Sequence, residues 1–260
     1  MSWFLRGARV QLRVIAALAL RETRTRFGGH ALGYVWALAE PLFWVLTFFA
    51  MFTFLSRNAP ERLDVIGFLT TGIVTYELVM KTQERASTAI AGNRALLFYP
   101  QVHTLDLVWA RMALEFATYM AVLVLILGTN AMIRGELEIA SLLDVLLGLG
   151  LATLLGGATG LVLCSLQLVW PTLERVKGPL MRPLFWTSGL FFTAHMLPQR
   201  VRDAMLWNPV LQCIELVRGG WFTGYRNDYV DVGYVVAWVI GSWFVALTLE
   251  RSVRHRIEVS

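Results

Sequence analysis

The sequence predicts an all-α, polytopic membrane protein with about six transmembrane helices. Three observations predict it. Apolar residues make up 57% of the 260-residue chain and charged residues only 16%, with a mean hydropathy of +0.58. Soluble domains carry about 25% charged residues. The apolar residues come in long blocks rather than at amphipathic spacing, which argues against a soluble protein with a large core. The basic residues also segregate. With both termini on the cytoplasmic side, sixteen of the 23 Lys and Arg fall inside, as the positive-inside rule requires.

Two segments divide the chain: residues 1–32, amphipathic, and residues 33–260, the membrane domain. At ~100° per residue, Arg6, Arg9, Arg13, Arg21 and Arg24 share about one third of a helix circumference. Leu12, Ile15, Leu18 and Ala19 fall opposite. That pattern suits a helix lying in the membrane interface, or a simple basic anchor.

The first apolar run, 33–55, has one ionisable residue, Glu40, followed by Pro41. Roughly 20 apolar residues suffice to cross a bilayer. The second, 65–80, is diluted by Gly67, Thr70, Thr71, Gly72 and Thr75, a density of small and hydroxylated residues that suggests close helix packing. Glu77 precedes Lys81 by one turn and is expected to pair with it near the surface. Residues 81–106 are polar except for an apolar patch, Leu96-Leu97-Phe98-Tyr99-Pro100-Gln101-Val102. The patch is too short to span and too apolar for an idle loop, so it marks a protein-partner site or rests on lipid headgroups; the partner is favoured.

The third run is 107–133, with Arg111 and Glu115 one turn apart. The fourth, 139–169, is rich in glycine, and Gly156 and Gly160 form a GxxxG pair that permits close helix contact. Residues 170–182 read as a break, with Pro171, Glu174, Arg175, Lys177 and Pro179. The fifth run is 183–197 and the sixth 232–249. Between them, 206–222 is apolar but carries Asn208-Pro209, Gln212, Glu215 and Arg218. Charge at that depth must face protein or water. We therefore expect outer re-entrant helices there, a backbone tolerated when packed against protein.

Several chemistries are not encoded. There is no GxxxxGK[ST] loop, HExxH or GxSxG element, and His30, His103, His195 and His255 are scattered. Cys164 and Cys213 have no metal-site spacing and no expected disulfide. A membrane enzyme is therefore disfavoured. The net charge of +5 fits arginines facing anionic lipid better than nucleic acid.

Three motifs carry a resemblance. Gly33-Tyr34-Val35-Trp36-Ala37-Leu38-Ala39-Glu40-Pro41 resembles the start of the first span in membrane subunits of polysaccharide-exporting ABC transporters. Leu97-Phe98-Tyr99-Pro100-Gln101-Val102 with Leu105-Asp106 continues it. So does Asn208-Pro209-Val210-Leu211 through Ile214-Glu215-Leu216-Val217-Arg218. The three lie in family order over most of the chain. They are most similar to the capsular polysaccharide exporters of Gram-negative bacteria; O-antigen, teichoic acid and drug or small-lipid exporters are the alternatives.

The resemblance implies an inner-membrane, multi-pass half-transporter. Two copies form the channel, and two copies of a separate subunit bind ATP and Mg, so this chain holds no cofactor and is not itself an enzyme. The segment with Asn93, Leu96, Leu97, Phe98, Tyr99, Pro100, Gln101 and Val102 is implied to dock on that ATPase. Spans one and five line the path, and periplasmic and outer-membrane partners carry the polymer onward. Aromatic faces suit sliding sugar rings, which makes Tyr34, Trp36, Phe43, Trp44, Phe185, Trp186, Phe191 and Phe192 candidates. Arg175, Lys177 and Arg182 are candidates for attracting an acidic glycan or a phosphate-bearing lipid anchor. Glu40 has three open roles: an ion pair with one of those three cations, repulsion of acidic polymer, or a helix-start carboxylate before Pro41.

The topology is directly testable. Cysteines placed at Glu136 and Asn227 are expected to label from outside the membrane and one at Arg254 is not; external labelling of Arg254→Cys would refute the arrangement.

Overall fold

The computed structural model describes residues 2–27, 31–55, 59–60, 63–96, 99, 101–135 and 139–259. Among them there is helix and no strand. Helix α1 is Ser2–Phe27, α2 Ala31–Phe54, α3 Val65–Ser87, α4 Thr104–Arg134 and α5 Leu142–Val169. Then come α6 (Leu173–Thr187), α7 (Gln199–Met205), α8 (Pro209–Trp221) and α9 (Val232–Val259).

Four of these are long and apolar enough to cross a membrane: α3, α4, α5 and residues Val232–Val253 of α9. Helix α2 adds a fifth apolar stretch, Ala39–Phe54. The expected fifth span is corrected. Its helix begins earlier, at Leu173, and ends at Thr187, so residues 170–182 are not a break. Pro179 and Pro183 are four residues apart and both exposed, so their missing N–H groups fall on one outward stripe that neighbouring helices do not crowd. Fifteen residues reach about 22 Å, short of the ~30 Å hydrocarbon core. The chain then turns at Gly189, whose φ of 75° is a left-handed conformation that a side chain would disfavour.

Helix α3 sits at the centre, packed on α5, α4, α2 and α8. Two of its four buried threonine hydroxyls bond within the helix: Thr71 Oγ1 donates to Gly67 O at 2.9 Å and Thr75 Oγ1 to Thr71 O at 2.7 Å, whereas those of Thr70 and Thr82 have no hydrogen-bond partner among the described residues. Asp64 caps its first turn, accepting from Gly67 N at 2.9 Å. Helix α5 crosses α3 at its glycines. A Cβ at Gly156 would lie 2.6 Å from Val79 O, and one at Gly160 2.6 Å from Gln83 O. At Gly148 it would lie 3.1 Å from Cys213 O of α8.

Helices α7 and α8 fill the outer region between α6 and α9. Helix α8 is 13 residues long, about 20 Å, and buries most of its surface against α5 and α3. It returns to the outer ends of its neighbours. Ser141 N donates to Gly220 O at 2.8 Å, and Asp231 N to Gln212 Oε1 at 2.9 Å. Cys164 and Cys213 are both buried free thiols.

Overpacking of the α3–α5 crossing is expected to cost about 1–3 kcal/mol per substitution. Gly156→Ala and Gly160→Ala should each lower the melting temperature in detergent. Gly150→Ala should not, since a Cβ there meets nothing within 4 Å.

Candidate translocation path and coupling segment

The aromatic candidates gather where α2, α3 and α6 meet. Phe185 lies 5.6 Å from Phe191 and 5.3 Å from Trp186, centroid to centroid. Phe48 sits 4.6 Å from Phe191 and 5.8 Å from Trp44, and Tyr76 packs edge-on against Phe185 at 5.5 Å. Trp44 and Trp186 carry the cluster to the surface; Trp186 is 69% exposed. Phe43 also points outward, and the half-buried Phe192 offers its carbonyl to Arg218. Tyr34 and Trp36 lie on α2, but their side chains fall outside the described residues. Phe48 and Tyr76 are missing from the sequence candidates. Phe48 could have been found, because it lies one turn after Trp44 on the same face.

Glu40 is not at a helix start, since α2 runs unbroken through Pro41. Nor does it pair with Arg175, Lys177 or Arg182. Its Oε1 accepts from Lys81 Nζ of α3 at 2.7 Å. The expected Glu77–Lys81 pair is thus replaced by a bond between helices, with Glu77 and Glu84 nearby adding negative charge around the ammonium. Arg175 and Arg182 are exposed on α6, which has no buried residue. Lys177 turns onto α3 instead and donates to Ser87 Oγ at 3.1 Å.

The inner ends of α3 and α4 are tied to α1 by buried polar groups. Arg111 Nη2 pairs with Glu22 at 3.0 Å, while its Nη1 donates to Arg85 O at 2.6 Å and Thr88 Oγ1 at 3.1 Å. Arg111 thus turns to Glu22, while Arg85 lies 3.7 Å from Glu115. Gln11 donates to Asp106, whose other oxygen accepts from His103 N at 2.8 Å. Helix α1 therefore buries a stripe through Gln11, Val14, Ile15, Leu18, Ala19 and Glu22. Leu12, expected on that stripe, is 68% exposed; it falls one position off the i, i+3, i+4 pattern that Gln11 sets.

This clamp reaches the segment between α3 and α4. Arg21 Nη1 donates to Asn93 Oδ1 at 2.9 Å, and Asn93 Nδ2 to Ala89 O at 3.2 Å. Asn93 is buried, so its amide works inside the protein. Leu96 and Val102 are half-buried against Leu18 and its neighbours. Tyr99 and Gln101 are exposed. Leu97, Phe98 and Pro100 lie outside the described residues. Among the described residues, no His/Cys/Asp/Glu group could hold a metal ion.

At the outer side Arg218 is fully buried, as the cost of its charge requires. It pairs with Glu215 at 3.2 Å, donates to Phe192 O at 3.0 Å and Leu190 O at 3.2 Å, and stacks 4.1 Å over the Phe68 ring. Tyr225 OH donates to Glu215 Oε2 at 2.5 Å. Gly72 makes room, since a Cβ there would sit 2.7 Å from Arg218 Nη2.

These features fit a multi-pass helical membrane protein with an aromatic cluster where α2, α3 and α6 meet and an N-terminal helix tied to the segment between α3 and α4. The chain belongs to the ABC-2 type transporter family, whose membrane domain matches residues 13–222. It is 30% identical over 246 residues to the polysialic acid transport protein KpsM of Escherichia coli, covering 95% of each chain. It is 31% identical over 241 residues to the capsule polysaccharide export inner-membrane protein CtrC of Neisseria meningitidis serogroup A, covering 90% of this chain and 88% of that one. BexB of Haemophilus influenzae, of the same description, is 29% identical over 264 residues, covering 98% and 96%.

Removing the Arg218 charge should leave Glu215 buried and unpaired, at a cost of roughly 3–5 kcal/mol. Arg218→Met is expected to lose abundance and thermal stability, and adding Glu215→Gln should recover part of the loss in a melting assay.

Proposed function

We propose that this chain is the transmembrane half of an ATP-driven exporter that moves a lipid-anchored, acidic capsular polysaccharide across the bacterial inner membrane. Two copies work with two separate ATPase subunits that bind ATP and Mg, and periplasmic and outer-membrane export proteins receive the polymer. The capsule cargo and the inner membrane are supported by the descriptions of the relatives CtrC and BexB, with which the chain aligns over nearly its whole length.

The observation that carries the reading is α6. It buries none of its residues, yet holds Arg175, Arg182 and the exposed Trp186. Cations at membrane depth face water or protein, not lipid. Beside it, α2 exposes Phe43 and Trp44. One copy can hardly enclose a polymer-wide path, so a two-fold pair placing both α2–α6 faces around a shared channel accounts for them. Aromatic rings then offer sliding surfaces to sugar C–H groups, and the arginines offer charge to an acidic glycan. The Glu40–Lys81 bond holds α2 against α3 at the inner mouth.

The exposed Tyr99 is the described part of the ATPase-docking patch, with Leu97, Phe98 and Pro100 beside it in sequence. Tyr99→Asp would bury a charge in an apolar groove, so a loss of about tenfold or more in ATPase co-purification is expected, with membrane insertion intact. Export normalised to membrane protein level should fall with it. Normal assembly and normal export in this variant would refute the docking role, and no ATPase or glycan co-purifying with the wild-type chain would refute the exporter reading.

A further inference from the structure

A groove of about 860 Å³ opens between α6 and α9, floored by α3 and α5. Its walls are almost wholly apolar, with Leu155, Val162, Leu184 and Trp238 among them. The α3 and α5 residues that line it, 79–83 and 155–163, belong to the cytoplasmic halves of those helices, and Asn208 of the α8 start and Tyr234 of α9 close its outer end. Gln83 Nε2 meets Met181 Sδ at 3.6 Å across the inner end, joining α3 to α6. One turn further toward the cytoplasm, on the same two helices, Lys177 donates to Ser87 Oγ at 3.1 Å. Among the described residues no carboxylate pairs with Lys177.

We propose that this groove holds an anionic phospholipid of the cytoplasmic leaflet, with an acyl chain along the groove and its phosphate on Lys177. The shape matches: an apolar trough that reaches from Asn208 and Tyr234 inward to Gln83 and Met181 leads toward a cation and a hydroxyl one turn beyond its inner end. The ammonium can give a phosphate oxygen a charge-assisted hydrogen bond, in the leaflet where anionic lipids concentrate. The flanking surface favours lipid over a second copy. From Val232 to Leu249 α9 carries no charged residue, and beside the groove it turns Ile240 and Phe244 outward. That is a lipid-facing composition, unlike the exposed arginines of α6. The inference is independent of the exporter's cargo.

The test uses the full-length protein, extracted mildly from vesicles of equal parts phosphatidylglycerol and phosphatidylcholine and weighed intact by native mass spectrometry. The wild type is expected to retain phosphatidylglycerol over phosphatidylcholine by about fivefold, the preference one lysine supplies. Gly241 lines the groove, and a Cβ there meets nothing within 4 Å. Gly241→Trp should fill the space and lose the retained lipid. Lys177→Gln, which leaves the core untouched, should retain lipid without headgroup preference. Wild-type retention in Gly241→Trp, or an unchanged preference in Lys177→Gln, would overturn the proposal. Loss of the dimer in Gly241→Trp with lipid retention unchanged would assign the groove to a second copy and overturn it as well.

Discussion

The approach of α5 to α3 is the constraint on which the rest of the fold depends. In lipid no hydrophobic force draws helices together, so packing must come from close van der Waals contact. Gly156 and Gly160 let the α5 backbone come within reach of the Val79 and Gln83 carbonyls, and Gly148 does the same toward α8. A single helix thus carries the crossing on α3 and the crossing on α8. Helix α3, held on that surface, offers its remaining faces to α2, α4 and α8. Thr71 and Thr75 bond to their own helix, while Thr82, at the crossing itself, keeps a buried hydroxyl without a hydrogen-bond partner among the described residues.

Charge is buried at both ends of this core, and with opposite consequences. At the outer end Arg218 and Glu215 neutralise each other within one helical turn, and the spare donors go to the Leu190 and Phe192 carbonyls. Those carbonyls belong to the irregular chain after α6, which has no regular backbone partners of its own. The pair therefore supplies geometry more than net stability. At the inner end the pairs run between helices. Arg111 joins α4 to α1 and α3, and Arg21 joins α1 to the segment carrying Tyr99. A push on that segment is delivered to α1 and α4 together.

Much of this was legible in the sequence. The hydroxyl density of 65–80 and the glycines of 139–169 pointed to close packing, and both helices are central. That Arg218 faces protein rather than lipid followed from the cost of a charge in hydrocarbon. Partner choice did not follow. Glu77 and Glu115 sit one turn from Lys81 and Arg111, and local spacing favours those pairs. The structure joins Lys81 to Glu40 and Arg111 to Glu22 instead, because the helix crossings bring these carboxylates to the basic groups, a fact local periodicity does not carry. Helix α6 was hidden for a related reason. Its prolines and charges read as a break, yet Pro179, Pro183, Glu174, Arg175 and Arg182 are all exposed, and of its charges only Lys177 turns onto α3.

The unequal attachment of the helices bears on how an exporter of this kind can open. Helices α3, α5 and α8 share backbone-close contacts, and separating them would expose the Arg218 pair. Helix α6 is held by aromatic edges, by the Gln83–Met181 contact and by the Lys177 hydrogen bond to Ser87. Helix α2 adds the Glu40–Lys81 bond. Ring contacts tolerate sliding, and a single half-exposed ion pair contributes little to stability. Motion of α6, with the α2 face beside it, against a fixed core therefore costs less than separating α3, α5 and α8, although α2 also seats Val45 and Phe52 in the core. Those are the two helices whose outward faces carry the aromatics and arginines, so a path built on them can change width while the α3–α5 crossing stays closed.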